Sequence, residues 1–213
     1  DSATPHLLQS VSKSIVGTLV ACLAEDGLLA WGQPVSDILP ELAQGAWADA
    51  TIRHVMDMKS GVRYSEAYDD RSSDMGITDY AAGWKPTPDG LDVSGWPRTL
   101  AAQLKSLTAK DHAAGETFHY ASIETEVLGA IAERVSGLRL AEALSKWIWA
   151  PIGAEYDASI TIDRDGTGTA SGGISATLRD LVRFGLAICD GGNVSGRQVI
   201  PRAFIDDLTS GAA

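Results

Sequence analysis

The sequence predicts a fold of α and β type in which helices dominate and strands are few. Three observations carry this. Apolar residues recur at the 3.6-residue spacing in segment after segment, most of them closed by a glycine or a proline. Only one stretch, ASITID at 158–163, reads as a strand. The 213 residues are 45% hydrophobic and 21% charged, enough apolar material for a packed core. No repeat, low-complexity tract or linker divides the chain, so 1–213 reads as a single domain.

The elements follow in order. The first helix is expected over 10–26, a nearly uncharged run stopped by Gly27. Residues 34–42 read as a loop with one short turn. Thr51 suits the cap of a helix over 52–59, because its hydroxyl can take an amide proton that the first turn leaves free; Gly61 lies past the end. Residues 62–97 are rich in Gly, Pro, Asp and Ser and weakly periodic. They read as a long loop, and such loops in small domains are usually functional. Helical spacing returns over 98–107. Over 124–135, Val127, Leu128, Ile131, Ala132 and Val135 share one face, and Gly137 ends the run. Another helix is expected over 138–149, ended by Pro151. Thr177 and Asp180 resemble a capping box opening a helix to Cys189. Pro201 suits the first turn of a last helix, 201–208.

Charge and composition exclude several classes. A net charge of -11 argues against nucleic acid and against an anionic membrane surface, since both require a basic face. The apolar run at 15–24 is short of the roughly 18 residues of a membrane span. The start, DSATPHLL, lacks the basic and apolar regions of a leader peptide and has no initiator Met; it reads as a processed or truncated beginning. Cys22 and Cys189 lie in apolar helical patterns and read as two buried thiols, which leaves the compartment open. His6, His54, His112 and His119 show no metal-ligand spacing. There is no Gly-x-Ser-x-Gly elbow, and DGGNVSGRQ at 190–198 lacks the lysine of a phosphate loop. Trp147 and Trp149 read as core, whereas Trp84 and Trp96 fall in the long loop and are candidates to line a pocket.

The chemistry rests on two helix starts. Ser10 and Lys13 are three residues apart, so on a helix they share a face one turn from each other. A lysine there can simply reach solvent. It can also be desolvated, lose its proton near neutral pH and act as a base on the serine hydroxyl. The helix N-terminus favours negative charge developing nearby. In FHYASIETEVLGAIAERV, Tyr120-Ala-Ser122 stands directly before a strongly periodic helix, where Ser122 is also a plausible cap. Ser-x-x-Lys at one helix start followed by Tyr-x-Ser at another is a two-part pattern.

That pattern resembles the penicillin-recognising serine hydrolases, the class C β-lactamase and esterase family. QSVSKSIVGTLVACLAEDGLL is similar to the family's nucleophile helix, and ATIRHVMDMKSGV and SGGISATLRDLVRFGLAICDGG to later segments. SEAYDDRSSD, AAGWK, FHYASIETEVL, ERVSGLRLAEALSKWIWA and DASITID are similar to its 6-aminohexanoate-dimer hydrolase branch. The resemblance covers nearly all of the chain. It implies a serine β-lactamase/transpeptidase-like fold. This chain would be mostly its helical portion, with the flanking antiparallel strands largely absent. Apolar surface meant for that sheet would then be exposed, and a second chain or a missing segment would complete it.

By the same resemblance Ser10 is the nucleophile, Lys13 its base, and Tyr120 the relay that passes a proton to the leaving group. Ser122 takes the place of an asparagine that hydrogen-bonds the lysine, and Tyr68 is a loop tyrosine that closes over amide substrate. The family's third motif, Lys-Thr-Gly or His-x-Gly, lies after the last helix. Lys59-Ser60-Gly61 matches its letters but precedes Tyr120, so Lys59 reads as a structural charge near a helix end. The implied activity is hydrolysis of a small-molecule ester or amide through an acyl-enzyme, with no cofactor. β-Lactamase or D-alanyl-D-alanine carboxypeptidase activity is the alternative, and Ser122 in place of asparagine weighs against the former. A non-catalytic binding module on the same fold is the third reading.

Overall fold

In the computed structural model, which describes residues 2–211, a short strand β1 (Pro5–Leu7) runs directly into α1 (Val11–Glu25). The short α2 (Val35–Ile38), a 3-10 turn (Pro40–Leu42) and α3 (Ile52–Met56) follow. Then come α4 (Asp74–Ala81), α5 (Leu100–Ser106), α6 (Ser122–Ser136) and α7 (Leu140–Leu144), the last continuing into a π turn (Ser145–Trp149). The remainder is β2 (Ser159–Ile160), β3 (Ile174–Thr177), α8 (Leu178–Cys189), a hairpin of β4 (Asn193–Val194) and β5 (Arg197–Gln198), and α9 (Arg202–Ser210).

α1 is apolar nearly all round, and a helix of that kind must be buried. Ile15, Val16, Leu19, Val20 and Leu23 are sealed, and α6 packs along α1 through Ile123, Val127 and Ile131. Gly27 (φ +73) and Gly137 (φ +70) end the two helices in the left-handed region, as expected from the sequence. Thr51 caps α3: its hydroxyl accepts the His54 amide at 3.3 Å, and the His54 ring returns the bond to the Thr51 amide.

Three strands lie beside this helical pair in the order β1-β3-β2, all antiparallel. The register pairs Leu7 with Ser175 on one side of β3 and Ile160 with Ile174 on the other. Ser10 therefore begins where a sheet strand turns into the central helix.

The structure departs from the sequence reading in five places. The 62–97 stretch is not all loop, because α4 forms inside it. Ser73 starts α4 by accepting the Gly76 amide at 3.0 Å, while Thr78 and Asp79 are buried, so no apolar period marks it. The strand expected at 158–163 shrinks to Ser159–Ile160 plus an isolated bridge from Ile162 to Gly168. The Thr177–Asp180 capping box is half formed. Thr177 accepts the Asp180 amide at 3.2 Å, but the Asp180 carboxylate takes the amides of Glu155 and Tyr156. Pro201 precedes α9 as its cap residue instead of opening its first turn.

The fifth departure concerns the cysteines. Cys22 is buried, and burial, then Asp26 and Glu25, push its thiol up to about 12. Cys189 is exposed. It ends a helix whose Leu178, Val182 and Leu186, spaced four apart, are 68%, 49% and 61% exposed, so part of the apolar pattern of α8 faces outward. Among the described residues, no helix is long and apolar enough to cross a membrane.

Candidate active site

Ser10 sits at the corner between β1 and α1. The corner is made by Gln9, one of three non-glycine residues with positive φ among those described (φ +50). A side chain in that region costs about 1 kcal/mol, and such residues gather at functional sites. Ser10 occupies the cap position of α1, yet its hydroxyl makes no capping bond. It is committed elsewhere. Lys13 Nζ donates to Ser10 Oγ at 3.0 Å, and the Tyr120 hydroxyl donates to the same oxygen at 3.0 Å. Lys13 Nζ also lies 5.3 Å from the centre of the Tyr120 ring.

Lys13 has a second partner, the carbonyl of Ser171, at 2.8 Å. That carbonyl belongs to a tight turn ahead of β3. The turn is packed closely enough to require glycine. A Cβ on Gly173 would stand 2.4 Å from Thr161 Oγ1 and 2.7 Å from the Thr169 carbonyl, and one on Gly172 would stand 3.0 Å from the Trp84 ring. Trp84 is fixed by its indole N–H on Thr161 Oγ1 at 2.7 Å, so it packs against this turn. Trp96 instead meets Tyr80 edge-on at 5.5 Å. Glu126 of α6 accepts the amides of Ala170 at 3.0 Å and Ser171 at 2.9 Å from below.

Tyr120 is delivered by the segment entering α6. The His119 amide donates to the Met58 carbonyl at 2.9 Å, and its ring meets the Tyr64 carbonyl at 2.9 Å. Ser122 is the first residue of α6, with Ala121 as the cap residue. Its role as the lysine's hydrogen-bond partner is corrected here. The Ser122 hydroxyl donates to Glu66, its amide donates to the other Glu66 oxygen at 2.9 Å, and Lys13 uses Ser10 and Ser171 instead. Tyr68, 57% exposed, donates to the same Glu66 carboxylate at 2.6 Å. Tyr68 and Ser122 are thus gathered by a residue that the sequence reading did not single out.

Lys59 lies apart from this cluster. Its backbone bonds His54 and Gly115, and Ser60 donates to Glu124 at 2.9 Å. Glu124 is buried, and burial pushes its carboxyl up to about 8 against the opposing pull of Ser60 and Lys110. An apolar cavity of about 240 Å³ between Ile15, Leu144, Trp149 and Ile174 includes none of Ser10, Lys13 and Tyr120. No group of His, Cys, Asp and Glu among the described residues is arranged to hold a metal ion.

Three contributors escaped the sequence reading: Glu66, Glu126 and the Ser171 carbonyl. Glu126 left one signal, a second acid two residues from Glu124 ahead of an apolar run. A backbone carbonyl leaves none.

A family model described as β-lactamase matches residues 1–209. The 6-aminohexanoate-dimer hydrolase of Paenarthrobacter ureafaciens is 40% identical over 208 residues, covering 98% of this chain and 51% of that protein. Esterase EstB of Burkholderia gladioli is 32% identical over 158 residues, 68% of this chain and 36% of that one. A solved structure from Bacillus anthracis, provisionally assigned as a 6-aminohexanoate-dimer hydrolase, superposes with a TM-score of 0.88 at 27% identity, covering 98% of this chain and 53% of that one. The chain spans about half the length of the first and third, and a little over a third of the second.

Proposed function

The chain belongs to the β-lactamase family, and from that premise we propose that its protein hydrolyses a small ester or amide through an acyl-enzyme on Ser10. One observation carries the reading: Ser10 Oγ is 3.0 Å from Lys13 Nζ and 3.0 Å from the Tyr120 hydroxyl. A serine hydroxyl is a weak nucleophile until a neighbour takes its proton, and both neighbours here are within reach for proton transfer.

In the first step Lys13 accepts the Ser10 proton while Oγ bonds to the substrate's carbonyl carbon. The π electrons of that carbonyl move onto its oxygen. The Ser10 amide at the start of α1 faces that developing charge, aided by the helix dipole. When the tetrahedral adduct collapses, Tyr120 hands a proton to the departing alkoxide or amine and is reprotonated through Lys13. Water then attacks acyl-Ser10 by the same route in reverse.

The relatives support this substrate class. One is named for a 6-aminohexanoate dimer, an amide, and another is an esterase. Ser122 stands where β-lactamases of this pattern carry asparagine, and its hydroxyl is occupied by Glu66, which supports an esterase or amidase over a β-lactamase.

The test is turnover of a short p-nitrophenyl ester, 6-aminohexanoate dimer and a cephalosporin by the full native chain, with Ser10→Ala beside it. Ester or dimer hydrolysis that vanishes in Ser10→Ala is expected. Dominant cephalosporin turnover would move the assignment to β-lactamase. Folded protein that turns over none of the three would leave a binding module.

A further inference from the structure

Behind Lys13 lies a buried acid that this mechanism leaves unused. Glu126 is 4% exposed, and its two oxygens take the amides of consecutive residues, Ala170 on Oε2 at 3.0 Å and Ser171 on Oε1 at 2.9 Å. The carbonyl of that same Ser171 takes Lys13 Nζ at 2.8 Å. Each Glu126 oxygen accepts one N–H, so both ends of the carboxyl are engaged by this turn. Burial pushes the carboxyl upward, and the Ser171 and Ala170 amides and the Lys13 charge pull against it.

Packing alone would not call for an acid here. α6 comes so close to the turn that a Cβ on Gly129 would stand 2.8 Å from Ala170 Cβ. A hydrophobic side chain at 126 would fill the space and avoid burying a carboxylate, which is costly. It would also leave two buried amides without acceptors. The acid meets both needs at the one peptide whose carbonyl holds the lysine.

We propose that Glu126 is a positioning residue for Lys13: by clamping the Ala170 and Ser171 amides it fixes the carbonyl that aims Nζ at Ser10 Oγ. This rests on Lys13 acting on Ser10 as described above. Glu126 bonds Ala170 and Ser171 and not Ser10, so its loss should be felt in the chemical step and not in binding.

The experiment uses the full native chain and a p-nitrophenyl ester. Glu126→Gln keeps one acceptor but sets an NH2 group against the second amide. Glu126→Asp keeps both oxygens and retreats by one methylene. Glu124→Gln is the control, since that acid serves Ser60 and lies outside this network. Melting temperature and the rate of Ser10 labelling by a fluorophosphonate are read beside kcat and KM. In Glu126→Gln, kcat and labelling should fall about tenfold or more. KM should stay within about twofold, and Glu126→Asp should recover part of the loss.

Unchanged kcat and labelling in folded Glu126→Gln overturns the proposal, as does an equal loss in Glu124→Gln. Should neither Glu126 variant fold, Lys13→Met reads the link from the other end. Faster hydrogen exchange at the Ser171 amide is then expected, and unchanged exchange overturns the proposal. Absent turnover by the wild type would instead fail the functional reading itself.

Discussion

On the Lys13 side of Ser10 the holding groups are buried and largely backbone: the Ser171 carbonyl, the Ala170 and Ser171 amides, and the sealed Glu126 beneath them. On the Ser122 side they are side chains on a loop: Glu66 collects the Ser122 hydroxyl and amide and the hydroxyl of the exposed Tyr68. The first arrangement has little freedom, because the Gly172–Gly173 turn closes against Trp84 and Thr161. The second is more open, with Tyr68 57% exposed. The two sides of Ser10 are thus held differently, one by buried backbone and one by side chains on a loop.

Breaking the rigid side should cost most. Ser10→Ala and Lys13→Met are each expected to lower kcat/KM for every substrate by at least about 10³-fold, with the melting temperature little changed. Initial-rate assays with ester and amide decide it, and a residual activity within tenfold of wild type would show that another group supplies the nucleophile or base. Tyr120→Phe removes the second donor to Ser10 Oγ. Its loss should be about 10²-fold, larger for the amide, whose leaving nitrogen needs a proton, than for a p-nitrophenyl ester, whose leaving group departs without one. Equal losses would deny Tyr120 the leaving-group role.

The loop side should break more gently and selectively. Tyr68→Phe deletes the hydroxyl that bonds Glu66 but leaves the ring. Amide turnover should drop about tenfold while ester turnover stays within about twofold, because one hydroxyl contact is worth roughly 1–1.5 kcal/mol when made in the transition state. A uniform loss on both substrates would place Tyr68 with the rigid side and erase the contrast.

The two sides were unequally legible in the sequence. Ser10, Lys13 and Tyr120 stand out because a serine, a lysine and a phenol are side-chain types placed at helix starts. The boundaries of α1 and α6 were legible too, since long apolar periods and left-handed glycines mark them. β1 and β3 escaped, being three and four residues long and paired across most of the chain, Leu7 with Ser175. No local pattern records such a pairing. α4 escaped because its buried Thr78 and Asp79 break the apolar period. Cys189 was misread because α8 is apolar on its outward face as well, where Leu178, Val182 and Leu186 lie. Periodicity shows that a face is apolar and not what covers it. On the loop side, Ser122 was read through an asparagine it does not imitate, since the acid that claims it comes from a distant turn.

The smallest effect separates two acids of α6, Glu124 and Glu126. Glu126 has an amide on each oxygen, whereas Glu124 has Ser60 on one and no partner on the other among the described residues. Burial holds the Glu124 carboxyl at about 8, against an ordinary value of 4.5. Between those values the folded protein keeps a proton that the unfolded chain has lost. Stability therefore falls as pH rises through this window; the contribution is complete below it and gone above it. Glu124→Gln removes the titration while keeping an acceptor for Ser60. Its melting temperature relative to wild type should rise steadily from about pH 5 to about pH 8, with activity unaffected. A difference that stays flat across that range would mean Glu124 titrates normally in the folded state.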